Sequence, residues 1–377
     1  MSDELPVGTH LVIGLPGPQV TDEAAAHLQA VRPGGVILFE RNYRDPEQLA
    51  ALTAALADVL DPPPLVMVDH EGGRVVRFRH GVTQFPSARE MSLAGPEALE
   101  RQGRTEAGEL RRLGIHVNLA PCVDVAVEGA DPVIGDRAYG TDPDTVSRHA
   151  AARIRGLQDG GVAACAKHFP GLGAVSRDPH LLRSAIALDW DVMRAVHVAP
   201  FQAAIRAGVA CVMSSHVCYP GLADPEESMP DEPATYSSRL IRDLLKKELG
   251  FSGLVLTDDL EMGAVRGPDG VGVAAVRAAA AGHDLLLVCG DAEGHREALS
   301  ALRGAYASGV LVEAECRALA RRVAALRDRE KLPRALDGSS RDMVGLECKR
   351  EPIKAHLRRG PGGSRRKAGR RKAGSQS

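Results

Sequence analysis

Two pairs of ionisable residues near the middle of the chain could carry out chemistry together. Lys167 and His168 stand at the end of an apolar run, and Asp178 and His180 follow on the next segment, separated by a single residue. Such groups bind polar ligands and transfer protons. A (β/α) barrel builds its active site from residues at the ends of its strands and on the loops that follow them. We therefore interpret this segment as part of a catalytic site in a fold of that kind.

Polar residues also follow most of the other apolar runs in the chain. Six of the eight runs end in ionisable or amide side chains, which are Glu40, Arg41, Asn42, Asp69, His70, Glu71, Asn118, Lys167, His168, His216, Asp258 and Asp259. The carboxyl ends of parallel strands in a barrel meet at one mouth. We therefore expect these side chains to converge on one substrate site.

The apolar runs themselves predict eight strands. They are Leu11–Leu15, Gly35–Phe39, Leu65–Asp69, His116–Ala120, Ala163–Phe169, Cys211–His216, Leu254–Asp258 and Leu285–Cys289. Segments with helical periodicity lie between or after them, at Glu47–Leu60, Leu99–Leu113, Thr145–Gln158, Asp191–Ala207, Ser238–Leu249, Ala292–Ala307 and Glu313–Lys331. This alternation indicates a parallel sheet covered by helices. Eight such units within about 300 residues predict an α/β fold of the closed (β/α)8, or TIM-type, barrel class.

A doubly wound open sheet is the alternative fold for this alternation. However, no GxGxxG or Walker motif follows any predicted strand, so the usual phosphate-binding signature of that fold is missing. We therefore predict a single (β/α)8 domain over residues 5–333. Residues 334–377 form a low-complexity basic tail, which we expect to be disordered. A solvated extension is the favoured interpretation of this tail over one that contacts RNA or anionic lipid.

Composition limits the classes of substrate. Aromatic residues make up only 3% of the chain, which argues against a long stacking track for nucleic acid or polysaccharide. The net charge of −2 conceals an asymmetry, because nine Lys and Arg residues and no acids lie in 352–377. The remainder has 38 basic and 49 acidic residues, a net charge of −11. An acidic body of this kind disfavours nucleic acid as the substrate of the main domain.

The chain carries the features of a cytoplasmic protein. No basic segment followed by an apolar one stands at its start, and no run of about 18 apolar residues predicts a membrane span. Its seven cysteines are scattered singly and lack CxxC spacing, which is typical of reduced core thiols. We therefore expect a cytoplasmic location and no disulfide framework.

The residue types at the strand ends favour a site for a neutral, polar substrate. Metal-dependent hydrolysis is disfavoured because neither HxH on a strand nor HExxH on a helix is present. A serine hydrolase is disfavoured because the GxSxG elbow is absent. Carboxylates and cations together are the groups that hold sugar hydroxyls. One carboxylate can then attack an oxocarbenium-like centre while another group protonates the leaving oxygen.

The motifs that carry these residues resemble those of a known family. The segment 69–77, Asp-His-Glu-Gly-Gly-Arg-Val-Val-Arg, is similar to the D-x-EGGRV-x-R signature of family 3 glycoside hydrolases. Five further motifs resemble the family in its order, at Leu38–Asn42, Ile134–Arg137, Lys167–Gly171, Ser215–Val217 and Thr257–Met262. The Asp178-x-His180 segment resembles that of the β-N-acetylglucosaminidase branch, which acts in bacterial peptidoglycan recycling.

The resemblance implies a role for each candidate residue. Asp258 is the expected nucleophile, and His180 is the expected general acid and base, oriented by Asp178. The sugar would be held by Asp69, Arg77, Arg137, Lys167 and His168. The alternatives are that Asp258 only caps the following helix, a role that suits Asp259 better, and that His180 is an ordinary surface residue. Arg74 is a candidate for tying the Gly72–Gly73 turn, His216 stays open between sugar contact and packing, and the role of Glu71 is undecided.

Three residues depart from the family pattern. Leu172 stands where the family often has a second histidine, Pro179 replaces the middle serine of the usual Asp-Ser-His, and Ser184 replaces a common proline. None of these changes removes the expected nucleophile or acid/base. The predicted activity is that of a retaining exo-β-N-acetylglucosaminidase that acts on muropeptides or other β-GlcNAc glycosides, with no metal or organic cofactor. The rival functions are a phosphorylase that uses the same dyad and a degenerate barrel that binds muropeptides without turnover.

Overall fold

The computed structural model describes residues 4–176, 184–222, 232–267 and 269–329. All of them belong to one compact unit of the chain. Asp178, Pro179, His180 and the basic tail lie outside the described residues, so the domain limits at 5–333 and 334–377 stay a prediction. Within the described part, no helix combines the length and apolarity that crossing a bilayer requires.

Eight parallel strands close into a barrel in which each strand pairs with its neighbours in sequence and β8 pairs with β1. The strands are β1 (Leu11–Gly14), β2 (Gly35–Leu38), β3 (Leu65–Val68), β4 (Val117–Asn118), β5 (Ala163–Phe169), β6 (Cys211–Ser214), β7 (Leu254–Asp259) and β8 (Leu285–Val288). The predicted (β/α)8 barrel is therefore confirmed. Every predicted run contains its strand, apart from β7, which continues one residue farther.

Helices cover the outside of the barrel and fill its connections. They are α1 (Asp22–Val31), α2 (Pro46–Val59), α3 (Ala88–Ser92), α4 (Pro96–Arg112), α5 (Pro143–Asp159), α6 (Trp190–Val192), α7 (Ala199–Arg206), α8 (Gly263–Arg266), α9 (Gly270–Ala281), α10 (Ala292–Ala307) and α11 (Glu313–Arg329). Met193–Val198, which joins α6 to α7, and Arg239–Glu248 are π-helical. The sequence predicted ordinary helices at both places.

The barrel interior is filled by every second residue of its strands. These side chains form one apolar cluster, which includes Ile37, Leu65, Met67, Val117, Leu119, Ala163, Cys165, Cys211, Met213, Leu254, Leu256, Leu285 and Leu287. Leu319, Val323 and Leu326 of α11 join that cluster. Helix α11 also contacts Val7–His10, which precedes β1, and its Arg322 binds Asp284, which precedes β8. Helix α11 therefore covers the amino-terminal end of the barrel interior, and within the described residues the interior opens at the carboxyl end. The six cysteines in the described residues are all buried and free.

Several histidines are buried in this fold as neutral side chains. Burial lowers the pKa of His10 and His70 to about 4 and that of His283 to about 3. In an unfolded chain the pKa of histidine is about 6.5. Between these values the unfolded chain binds protons that the folded chain does not bind. The stabilisation from each histidine is therefore complete above pH 6.5 and is lost as the pH falls, by about 1.4 kcal/mol per pH unit.

Replacing His10 with glutamine should make the stability of the protein less dependent on pH. His10 Nδ1 donates to the carbonyl of Asp284 at 3.0 Å, and its Nε2 accepts from the hydroxyl of Tyr306 at 2.6 Å. A glutamine amide keeps both bonds without titrating. The free energy of unfolding, measured with denaturant at several pH values, should change less steeply with pH in the variant. Below about pH 6 the difference in slope should be about 1.4 kcal/mol per pH unit. His80→Gln at an exposed position is the control, and an equal slope in both variants would contradict the assignment.

Candidate active site

A cavity of about 570 Å³ opens at the carboxyl ends of the strands. Its inner end is apolar and is formed by Ile37, Leu119, Met213 and Leu287, which come from β2, β6 and β8 and from the residue after β4. Alternate strands of a (β/α)8 barrel contribute side chains to a common layer, and here the layer of even strands forms the floor. The cavity size lies within the range of small-ligand sites, about 300–1,000 Å³.

Polar residues from several strand ends form the cavity wall. They are Asp69, Glu71, Arg74, Arg77, Asp131, Arg137, Lys167, His168, Asp258 and Asp259. The structure therefore brings together six sequence-predicted site residues, namely Asp69, Arg77, Arg137, Lys167, His168 and Asp258. Asp178 and His180 lie outside the described residues, and their roles stay predictions.

Lys167 lies at the centre of a buried ion network. Its Nζ contacts Oδ1 of Asp69 at 2.6 Å and Oε1 of Glu71 at 2.7 Å. Arg137 binds Glu71 through two parallel contacts, at 2.9 Å from Nη2 to Oε1 and 3.0 Å from Nε to Oε2. Arg77 Nη2 lies 3.4 Å from the second oxygen of Asp69. Two carboxylates and three cations therefore hold one another in fixed positions. Their fixed positions allow them to form directional hydrogen bonds with a polar ligand.

Charge in this network outweighs the cost of burial. Burial by itself would raise the pKa of Glu71, but Arg137 and Lys167 hold it well below its usual range. Burial would likewise lower the pKa of Lys167, whereas Asp69 and Glu71 raise it above its usual value. Glu71 and Lys167 are therefore both charged at neutral pH, although their side chains are only 6% and 3% exposed. Glu71, whose role the sequence left undecided, therefore anchors Lys167 and Arg137.

A glycine turn places Glu71 and the arginines that follow it. Gly72 and Gly73 have φ of 101° and 57°, in the region that favours glycine. A Cβ on Gly72 would lie 2.8 Å from the carbonyl oxygen of Pro86, so the turn is also tightly packed. The structure corrects the sequence-based interpretation of Arg74, which does not tie this turn. Arg74 instead binds Oδ1 of Asp136 at 2.8 Å and the carbonyl oxygens of residues 132–134, and so holds the wall segment before Arg137.

Asp258 and Asp259 stand at the end of β7 with different surroundings. The backbone N–H of Asp259 donates to Oδ1 of Asp258 at 2.8 Å. Oδ1 of Asp259 accepts the N–H of Glu261 at 3.1 Å and that of Cys289 at 3.2 Å. Burial, with the carboxylates of Glu261 and Asp258 nearby, raises the pKa of Asp259 to about 6. Asp259 therefore ties β7 to β8, and Asp258 is the better candidate for attack on a ligand.

Other polar strand-end residues hold the backbone and do not line the cavity. Arg41 donates to the carbonyl oxygens of Leu15 and Cys289 at 2.8 Å each. Asn118 exchanges two hydrogen bonds with the backbone of His70, at 2.9 and 3.1 Å. A ring nitrogen of His216 donates to the carbonyl of Asp259 at 2.9 Å. These contacts favour the packing alternative for His216, and the choice between sugar contact and packing stays a prediction.

Sequence reasoning missed Asp124, which lies beneath the cavity wall. Oδ2 of Asp124 accepts from Nδ1 of His168 at 2.7 Å and from the thiol of Cys122 at 3.2 Å. The ligand atoms of Cys122, Asp124 and His168 lie within 4.8 Å of one another, close enough to consider a metal. They are joined by hydrogen bonds, however, so the thiol and imidazole protons would have to leave before a metal could bind. No sequence motif marks Asp124, which stands between two valines.

Comparison with known proteins gives consistent matches along the chain. The model for the glycosyl hydrolase family 3 N terminal domain matches residues 7–326. A beta-hexosaminidase from Nitrosomonas eutropha is 37% identical over 305 residues, which cover 79% of this chain and 85% of that protein. A family 3 beta-N-acetylglucosaminidase structure from Paenibacillus sp. has a TM-score of 0.86 at 37% identity, covering 92% of this chain and 66% of the other. NagZ from Neisseria gonorrhoeae in complex with N-trifluoroacetyl-D-glucosamine has a TM-score of 0.71 at 30% identity, covering 85% and 98%.

Proposed function

The chain belongs to the glycosyl hydrolase family 3, and from this premise we propose that it is a retaining exo-β-N-acetylglucosaminidase. Relatives that match most of its length are named beta-hexosaminidase, and the chain is a glycoside hydrolase of that kind. The finer parts of the proposal are the removal of a terminal GlcNAc, a covalent intermediate on Asp258, and a dyad of His180 and Asp178.

The observation that carries this proposal is the arrangement of groups around the cavity. Asp258 lines it at the end of β7, while Asp69, Lys167, Arg137 and His168 line it from β3, β5 and the segment before α5. Fixed carboxylates and cations match the hydroxyl pattern of a sugar. The cavity is closed at its inner end, which suits a terminal residue better than the interior of a glycan chain.

In the proposed mechanism a carboxylate oxygen of Asp258 attacks the anomeric carbon of the bound sugar. The bond from this carbon to the aglycone oxygen breaks, and His180 gives its proton to that oxygen. A β-linked substrate thereby becomes an α-linked glycosyl ester. His180 then takes a proton from water, the water oxygen attacks the same carbon, and Asp258 leaves as carboxylate. Two inversions return the β configuration.

The same family relation supports proposals for the substrate and the location. One relative is in complex with N-trifluoroacetyl-D-glucosamine, which favours a 2-acylamino sugar in the cavity of this chain as well. The resemblance of the motifs to the branch active in peptidoglycan recycling favours muropeptide fragments as substrates and a cytoplasmic location. Glu71 does not need to contact the sugar directly in order to matter, because it holds both Lys167 and Arg137.

The experiment that tests the proposal is the hydrolysis of p-nitrophenyl β-GlcNAc, followed by proton NMR of the first-formed sugar. We expect p-nitrophenol release in phosphate-free buffer, with β-GlcNAc appearing before it mutarotates. First-formed α-GlcNAc would contradict retention. Formation of GlcNAc 1-phosphate as the main product when phosphate is added would indicate the phosphorylase. Binding of GlcNAc in a calorimeter without turnover would indicate a binding-only barrel.

A further inference from the structure

Asp124 is a fully buried carboxylate that receives four hydrogen bonds. Its side chain is 0% exposed, and it does not line the cavity. Oδ1 accepts the backbone N–H of Leu172 at 2.6 Å. Oδ2 accepts from the backbone N–H of His168 at 3.2 Å, from Nδ1 of the same residue at 2.7 Å, and from the thiol of Cys122 at 3.2 Å. With donors directed at both oxygens, Asp124 serves only as an acceptor.

These contacts determine which ring nitrogen of His168 carries the proton. Nε2 of His168 lies 3.4 Å from Nη2 of Arg137, and a guanidinium can only donate. Nδ1 faces a carboxylate oxygen of Asp124, which can only accept. Both partners therefore require the tautomer protonated at Nδ1, with a lone pair on Nε2. His168 lines the cavity and is itself 5% exposed, so its orientation is fixed by surrounding contacts.

The other oxygen of Asp124 holds the turn that follows His168. Oδ1 of Asp124 accepts the N–H of Leu172 in this turn. The carbonyl of the preceding residue, Gly171, accepts from the hydroxyl of Tyr219 at 3.0 Å. Two residues later, Gly173 packs so closely on the chain beside Asp124 that a Cβ would lie 1.8 Å from the carbonyl oxygen of Val125. One carboxylate thus links the chain after β4 to both the ring of His168 and the backbone beyond it.

We propose that Asp124 is a positioning residue that makes His168 a hydrogen-bond acceptor toward the cavity, so that the site selects a sugar substituent that donates a hydrogen bond at that point. This proposal rests on the proposed function, because the ligand is taken to be a sugar. A sugar hydroxyl that donates to Nε2 at about 2.8 Å would displace the long 3.4 Å contact from Arg137. A substituent that only accepts hydrogen bonds would be rejected there.

Asp124→Asn is the discriminating variant, because it keeps the shape and changes the hydrogen bonding. An asparagine has one acceptor oxygen and one donor NH₂ group, whereas Leu172 and His168 both present N–H groups. If the oxygen faces Leu172, the amide nitrogen faces Nδ1 of His168 and favours the opposite tautomer. If the asparagine is reversed, the bond to Leu172 is lost. Cys122→Ala is the matched control, because it removes the third partner of Asp124 and leaves both of these contacts.

The first measurement is nitrogen-15 NMR of histidine-labelled protein, with the His168 signal identified by its loss in His168→Asn. The wild type should show His168 protonated at Nδ1, and Asp124→Asn should change that pattern. Cys122→Ala should retain it. A wild-type His168 protonated at Nε2 would overturn the proposal. So would an unchanged tautomer in folded Asp124→Leu, which, unlike a reversed asparagine, leaves Nδ1 without an acceptor. This test needs no turnover, so it separates the failure of this proposal from the failure of the proposed function.

The second measurement compares p-nitrophenyl β-GlcNAc with analogues that carry fluorine in place of one hydroxyl. In the wild type, the analogue that carries fluorine at the hydroxyl facing His168 should show the largest fall in kcat/KM relative to the parent substrate, because fluorine cannot donate a hydrogen bond. In Asp124→Asn, kcat/KM for the parent should fall about 10- to 100-fold, and the penalty for that analogue should shrink at least about fivefold. Cys122→Ala should keep the wild-type penalty. An equal loss for all substrates would show a merely structural role and would overturn the proposal.

Discussion

Replacing Asp258 with alanine is expected to lower kcat/KM for p-nitrophenyl β-GlcNAc about ten-thousandfold or more, the scale of losing a covalent nucleophile. The variant should still bind the sugar, because the network of Asp69, Lys167 and Arg137 does not depend on Asp258. Adding azide should restore part of the turnover, since the small anion fits where the carboxylate was removed. The product should be the α-glycosyl azide, because azide attacks from the face that Asp258 vacates.

The adjacent Asp259 provides the comparison that identifies the nucleophile. Asp259→Asn retains an oxygen that can accept the N–H groups of Glu261 and Cys289, so its loss of kcat/KM should stay within about tenfold. Turnover that survives in Asp258→Ala would contradict the assignment. A loss in Asp259→Asn as large as that in Asp258→Ala, with azide rescue of Asp259→Ala but not of Asp258→Ala, would transfer the role to Asp259.

Lys167→Met is expected to lower both stability and activity. The methionine keeps the length of the side chain but leaves the carboxylates of Asp69 and Glu71 without their shared ammonium. Breaking a buried ion pair by removing one partner costs about 3–5 kcal/mol of folding free energy. We expect kcat/KM to fall about 100-fold or more, because the two carboxylates repel each other and lose the order that binds the sugar.

A lysine at the closed end of the barrel serves as the control for this variant. Lys246 Nζ lies 3.4 Å from Asp284, which also binds Arg322 at 2.5 Å and so keeps a cation when Lys246 is lost. Lys246→Met should cost about 1 kcal/mol or less and leave kcat/KM unchanged. Denaturant unfolding and initial rates on both variants check the pair. Wild-type activity in folded Lys167→Met would mean that the network does not bind substrate.

The barrel was predictable because its strands are buried on both faces. Apolar side chains therefore run continuously through segments such as Leu285–Val288, and polar residues appear where each strand reaches the mouth. The helix predicted from periodicity at Glu47–Leu60 is α2, which starts one residue earlier at Pro46, where the side chain of Asp45 caps it. The π-helical turns at Met193–Val198 were not predictable. The spacing of apolar residues does not show whether backbone hydrogen bonds join residues four apart, as in an α-helix, or five apart, as in a π-helix.

The site was predictable only as far as its residues carry motifs. Lys167, His168 and Asp258 were found because they close apolar runs and match a family signature. Asp124 was missed because its importance comes from contact with His168, 44 residues farther along the chain. The role of Glu71 stayed undecided for the same reason, since Arg137 lies 66 residues away. Pairings over such distances are set by how β3, β4 and β5 stand side by side, which a single sequence does not state.

The apolar floor of the cavity has a consequence for the order of events in turnover. Ile37, Leu119, Met213 and Leu287 close the inner end, and the filled barrel below them leaves no second exit among the described residues. A sugar held at the floor must leave by the opening through which it entered, and the aglycone stands in that opening. Under the proposed function we therefore expect ordered release, with the aglycone first and the free sugar last. Free sugar should then compete with the next substrate, and a glycan chain should be shortened distributively, one unit per encounter.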